Sequence, residues 1–179
     1  MFDQAFSRLG FLFAKLQFHG DVDQVQPLTE FIKGARNMLI ILPLGYEEAA
    51  VASDALFRTC RELSHVHLTV IHTGTRATSL TVFPKCEVIR IDPADINRFS
   101  LPTRSLMKRI FKHEYDVAMD LNLDFVLHTA YICKASRAKV RVGCTHAASD
   151  LFYNVQLNLN THSPPQAVYQ KVASCLAMF

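Results

Sequence analysis

The sequence predicts an α/β fold, a parallel sheet of about five or more strands flanked by helices, and three observations carry that reading. Short continuous apolar runs, Met38 to Leu42 first among them, have the length and β-branched content of strands covered on both faces. Between these runs lie longer stretches whose apolar residues recur at the 3.6-residue helical period. The stretch Tyr115-Asp-Val-Ala-Met-Asp-Leu-Asn122, with Lys139-Val-Arg-Val-Gly143 beyond it, reads as a strand ending in polar groups, a helix, and another strand. Such alternation is that of a Rossmann-like sheet, whose ligand crevice lies at the carboxyl ends of the strands.

Taken in order, residues 1–36 read as a helical amino-terminal arm and residues 37–179 as the α/β domain. Phe2, Phe6, Leu9, Phe13 and Leu16 fall on one side of a helix, with Arg8 and Lys15 elsewhere and Phe11 and Phe18 off the stripe. Two readings of this arm compete: packing on the body or in a dimer, and a weak interfacial membrane contact through residues 1–18. The interspersed Asp3, Gln4, Arg8 and Lys15 exclude a spanning helix and a signal peptide. Pro27 to Ala35 reads as a short helix leading into the sheet.

Met38 to Leu42 is the first strand, stopped by Pro43, and Glu47 to Leu63 follows as a helix with Ala49, Ala52, Leu56, Cys60 and Leu63 on one face. His67 to Ile71, Glu87 to Ile91, Asp116 to Met119 and Lys139 to Val142 are the next four strands. Helices are expected from Pro102 to Lys112 and from Asp124 to Ala135. A last helix opens at Ser163 and Pro164, with Val168, Val172, Cys175 and Phe179 recurring on one face.

Composition narrows the function classes. With 179 residues, half of them apolar, the chain can bury one sizeable core. Its 19 basic and 16 acidic residues are interspersed, with no basic block of the kind that marks a nucleic-acid tail, so no nucleic-acid partner is expected. Five cysteines without a C-x-x-C pair argue against a disulfide framework and fit a reducing, cytoplasmic compartment. Six glycines at 10, 20, 34, 45, 74 and 143 are too far apart for G-x-G-x-x-G or a P-loop, so a standard nucleotide site after the first strand is not expected, and no cofactor is. There is no G-x-S-x-G nucleophile elbow either.

The candidate site residues sit where strands end. Glu47 and Glu48 follow the first strand, His72 and Thr73 the second, Asp92 the third, and Asp120 and Asn122 the fourth. In an open α/β sheet these positions converge on one crevice, where a carboxylate with a raised pKa could take a proton from a ligand hydroxyl. Each also has a plain structural reading: Glu in a first helical turn favours the helix dipole, and Asp or Asn beyond a strand caps the next helix. His65 with His67, and Cys144 with His146, are pairs without the third and fourth ligands of a zinc site, so no metal is expected. Arg104, Lys108 and Lys112 stripe one helix, as a solvated face or as a contact for the phosphates of an anionic glycolipid.

The order Tyr115-Asp-x-x-x-Asp-Leu-Asn122, an aliphatic helix, Arg141-Val-Gly143 and then Phe152-Tyr-Asn154 resembles the amino-terminal domain of family nine glycosyltransferases, the group that includes the bacterial lipopolysaccharide heptosyltransferases. The resemblance runs from about Asn37 to the end of the chain and is best between Tyr115 and Gly143. It implies an acceptor-binding Rossmann-like half with a carboxylate base after the first strand. Where the family has Gly-Asp, this chain has Gly45-Tyr46-Glu47-Glu48, and the alignment on Leu56-Phe57-Arg58 brings Glu48 within about one position of that aspartate. The family's Asp-x-Gln-Gly stands here as Asp120-Leu121-Asn122-Leu123, and the heptosyltransferase Lys-Ser as Val126-Leu127.

What the resemblance implies is therefore a heptosyltransferase-like acceptor-side domain without the donor-binding half, inactive alone. A saccharide or glycolipid acceptor is the expected ligand, and a donor-domain protein or a second copy the expected partner. The implied location is the cytoplasm, peripheral to the inner membrane. A non-catalytic saccharide-binding or scaffolding module and an unrelated small α/β enzyme are the alternatives.

Overall fold

The computed structural model of the chain describes residues 2–21, 34–60, 65–73, 85–159 and 163–177. Six strands, β1 (Asn37–Ile41), β2 (His67–His72), β3 (Cys86–Arg90), β4 (Val117–Asp120), β5 (Val140–Cys144) and β6 (Val155–Leu157), form one sheet. All five pairings are parallel, in the order β3-β2-β1-β4-β5-β6. This is the doubly wound order whose reversal between β1 and β4 opens a crevice at the carboxyl ends of those two strands. The five expected strands are present with ends shifted by one or two residues. The sixth, β6, was not expected, because three residues at a sheet edge are too few to show a period.

The helices are α1 (Phe2–Gln17), α2 (Tyr46–Cys60), α3 (Arg104–Ile110), α4 (Leu127–Ala135) and α5 (Pro165–Ala177). Alternation along β1 separates two cores, as the two-residue period of a strand requires. Leu39 and Ile41 join Ile71, Ala118 and side chains of α1, α3 and α4, whereas Met38, Ile40 and Leu42 join Val70, Met119 and side chains of α2 and α5. The sheet is thus covered on both faces, which accounts for the continuous apolar runs.

Two helices start later than the sequence suggests. Helix α3 begins at Arg104 because Thr103 accepts a hydrogen bond from the Leu106 amide at 3.3 Å and so caps it. Helix α4 begins at Leu127 rather than Asp124, since Phe125 is turned onto the rings of Phe11 and Phe152. The expected helix from Pro27 lies, save for Gly34 and Ala35, outside the described residues.

Helix α1 corrects the face expected of it. Gly10, Ala14 and Phe18 are buried and Phe11 half-buried against the domain, whereas Leu9, Phe13 and Leu16 stand in solvent. The buried side was missed because its centre is made of small residues. A Cβ on Gly10 would collide with the backbone carbonyl of Phe99, so only glycine allows the helix this approach. Phe6 then meets Phe99, Phe11 meets Phe125 and Phe152, and Phe18 meets Tyr131 and Phe152, with centroids 5.2–6.3 Å apart. These pairs hold α1 across α4, which is buried between α1 and the sheet.

Gly→Ala in an ordinary helix interior stabilises by about 0.5–1 kcal/mol. Gly10→Ala is expected to do the reverse here and cost roughly 1–3 kcal/mol in urea unfolding, the range for forcing an added methyl into packed structure. A gain in stability would show that α1 does not rest on Phe99.

Candidate functional site

At the β1/β4 reversal the carboxyl ends of the strands carry the segment Leu42 to Glu48 on one side and Asp120 to Asn122 on the other, the place where open α/β sheets bind ligands. The two sides are tied together: the Leu44 amide donates to Asn122 Oδ1 at 3.0 Å, and Thr73 Oγ1 donates to the Leu44 carbonyl at 3.3 Å. Thr73, Asn122 and the chain after β1 are therefore brought together, as expected of positions at parallel strand ends.

Asp120 is brought to the same place but turned inward. Its carboxyl is buried, with Oδ1 accepting from the Asn122 amide at 3.1 Å and from Asn122 Nδ2 at 2.7 Å, and Oδ2 accepting from the Tyr153 hydroxyl at 2.8 Å. Burial pushes its pKa up, against the polar groups of Thr129, Asn122 and Tyr153 that favour the anion. Tyr153 reaches Asp120 by lying flat over Gly143, where a Cβ would stand 2.6 Å from its ring. The same burial, with the Asp120 charge beside it, raises the Tyr153 phenol far above its usual range. Asn122 is itself buried, so its amide binds the loop over β1 from within.

The glutamates lie at the start of α2. Glu47 is exposed. Glu48 is half-buried and its carboxylate folds back over Gly45, the residue before the helix, with Oε2 3.2 Å from where a Gly45 Cβ would be. A carboxylate in the first turn is favoured by the positive end of the helix dipole. Its charge also reaches Tyr169, whose phenol is raised by burial first and by Glu48 next. Tyr169 donates from its hydroxyl to the Leu121 carbonyl at 3.0 Å, carrying α5 to the crevice floor. The sequence reading missed Tyr169 and Tyr153. It also missed Leu44 and Tyr46, which stand 40% and 58% exposed beside Glu47. Their signal was present, since apolar residues directly after a buried strand have little core left to enter.

His72 is buried at the end of β2 and, among the described residues, makes no hydrogen bond to this cluster; burial, with the nearby Arg90 charge, lowers its pKa. Asp92 is taken up locally, in an ion pair with Arg90 at 2.8 Å and in the turn Pro93–Asp95. His146 Nε2 lies 2.7 Å from the Leu123 carbonyl, and the ring of His67 packs on that of His113 at 5.3 Å. No three described His, Cys, Asp or Glu residues are grouped so as to hold a metal ion.

Neither a protein-family model nor a curated protein sequence matches the chain. Solved structures do. A family 9 glycosyl transferase from Veillonella parvula superposes with a TM-score of 0.62 at 15% identity, covering 80% of this chain and 42% of that one. The E. coli heptosyltransferase WaaC with ADP superposes with a TM-score of 0.58 at 14% identity, covering 78% of this chain and 46% of that one. The chain spans less than half the length of either. The likeness shows the fold: a six-stranded parallel sheet between helices, of the kind found within these glycosyltransferases.

Two groups, the half-buried His128 and the buried Asp120, give pH dependences of opposite sign. Burial lowers the His128 pKa from 6.5 to about 4, so between those values the unfolded chain holds more protons and stability falls as pH drops. Asp120 is raised above 3.8, so its contribution is fully present below that pH and is lost as pH rises through the folded value. In melts across this range, His128→Gln is expected to remove a loss of stability on acidification. Asp120→Asn should remove a gain. Parallel curves for the parent and either variant would contradict the burial assigned to that residue.

Proposed function

We propose that this chain is a glycosyltransferase-related, heptosyltransferase-like domain that binds the acceptor saccharide and is inactive in transfer by itself. The carrying observation is the likeness to two glycosyltransferases over about four-fifths of this chain, combined with the strand-order reversal between β1 and β4, where open α/β sheets bind ligands. The motif Tyr115 to Asn122 with Arg141 to Gly143 supports the acceptor side. Sugar transfer needs donor and acceptor held in reacting geometry, so this domain gives up most of the rate acceleration wherever no donor-binding half faces it. In this reading a donor-binding half, from whichever chain, completes the site.

The chemistry available at the crevice fits an acceptor. Glu48 is the carboxylate nearest the position expected of a base, half-buried at the head of α2, and Glu47 stands beside it in solvent. Asp120 and Asn122 act in this reading as the floor that sets the loop, since their polar atoms are engaged from within. Thr73 edges the opening from β2. The acceptor is a hydroxyl-rich saccharide such as the lipopolysaccharide inner core, met at the cytoplasmic face of the inner membrane. The non-catalytic alternative draws on Glu48 as well, because an acidic residue in the first turn of α2 also serves the helix dipole.

Calorimetry on the purified chain separates these readings. An inner-core oligosaccharide is expected to bind saturably, and ADP or nucleotide sugars are expected to give no heat of binding to the folded chain. Saturable ADP binding would overturn the acceptor-side assignment, and turnover without nucleotide sugar would replace it with an unrelated enzyme. With a donor half added in trans, Glu48→Gln should abolish transfer while changing stability by no more than about 0.5 kcal/mol, since the side chain is only half-buried and the substitution keeps its shape. Full activity of that variant would remove Glu48 from the base role.

A further inference from the structure

The outer side of α1 carries apolar residues that the domain does not use. Leu9, Leu12, Phe13 and Leu16 are 52%, 58%, 55% and 77% exposed and form a continuous ridge at i, i+3, i+4 and i+7. The ridge points away from the buried Gly10, Ala14 and Phe18, because the two sets lie about 150° apart at about 100° per residue. Aromatic contacts with Phe99, Phe125, Tyr131 and Phe152 fix the helix below, so the ridge is presented on a rigid base.

Cations stand on both shoulders of the ridge. Arg8 and Lys15 are exposed on one side of α1. On the other, the Arg98 guanidinium covers the rings of Phe6 and Phe99 at 5.6 and 4.9 Å. Further along the same side, Gln17 accepts from the Tyr131 hydroxyl at 2.8 Å, and across Tyr131 a groove is bordered by the exposed Arg104 and Lys108 of α3. Between Ala5 and Gly20 the sequence has no acidic residue.

We propose that this face docks on an anionic phospholipid surface, with the α1 ridge entering the headgroup layer and the flanking cations meeting lipid phosphates. Charge complementarity selects this occupant over a second copy. A two-fold pairing of the ridges would set Arg8 and Lys15 of one copy alongside those of the other, with no carboxylate in that part of the helix to offset them. Spanning is ruled out for α1, since its 16 residues reach only about 24 Å and no described helix is long and apolar enough to cross a membrane. An amphipathic helix with basic shoulders lies in the interface plane instead, and its binding draws on both apolar burial and anionic charge.

Flotation with vesicles tests this on the full chain. Vesicles of phosphatidylcholine mixed with phosphatidylglycerol are expected to carry the protein, and phosphatidylcholine alone to carry much less. Leu12→Ser and Leu16→Ser should each weaken binding by about tenfold, and Arg104→Gln and Lys108→Gln by about fivefold each, with unchanged melting because all four residues are exposed. Equal binding to both vesicle types would remove the charge argument. A chain that ignores both vesicle types and sediments as a dimer made monomeric by Leu12→Ser with Leu16→Ser would overturn the proposal in favour of self-association.

Discussion

Within the sheet, β2 and β3 reach β5 and β6 only through the pairing of β1 with β4, whose paired residues are 79 positions apart, as in Met38 with Val117. Both ends of that pair are clamped by side chains. At the amino ends, Asp116 Oδ2 accepts from the amides of Arg36 and Asn37 at 2.8 and 3.1 Å. At the carboxyl ends, Asn122 accepts from Leu44. A slip of one residue would break both clamps and turn Asp120 from one core to the other, so the register is fixed by polar groups as well as by apolar alternation. The strand-order reversal at the candidate site exists because this junction is held.

The residues that carry the resemblance do much of this holding. Tyr115 donates from its hydroxyl to the Ile110 carbonyl, and Asp116 clamps β1. Arg141 spends its guanidinium on the carbonyls of Phe152 and Ala138, and Asn154 bonds the Arg141 amide and the Lys139 carbonyl. Gly143 makes room for Tyr153, and Tyr153 meets Asp120. The motif from Tyr115 to Asn154 is thus an interlocked scaffold around β4 and β5. It describes how a strand reversal is built more than which atom a ligand touches, and for that reason its presence argues for fold before chemistry.

What was legible in the sequence follows the same division. Strand positions and the convergence of Thr73, Asn122 and the Leu42 to Glu48 segment could be read, because a parallel sheet places carboxyl ends side by side. Whether a group there faces a ligand or the interior could not, because it depends on a partner distant in sequence: Tyr153 arrives 33 residues after Asp120. The face of α1 was misread for a related reason. Counting large apolar residues finds where hydrophobicity is greatest, whereas close packing on α4 needs the small Gly10 and Ala14.

The way α1 is held also orders events during synthesis. Its ring partners, Phe99, Phe125, Tyr131 and Phe152, all belong to the second half of the chain. Made before these partners, α1 must therefore wait until more than a hundred further residues have left the ribosome before its seat is complete. Throughout that interval its two apolar sides are uncovered together, and α4, which needs a cover, has none until the same moment. Closing this last layer is a long-range step, and chaperone binding to the nascent chain would be concentrated on its first segment.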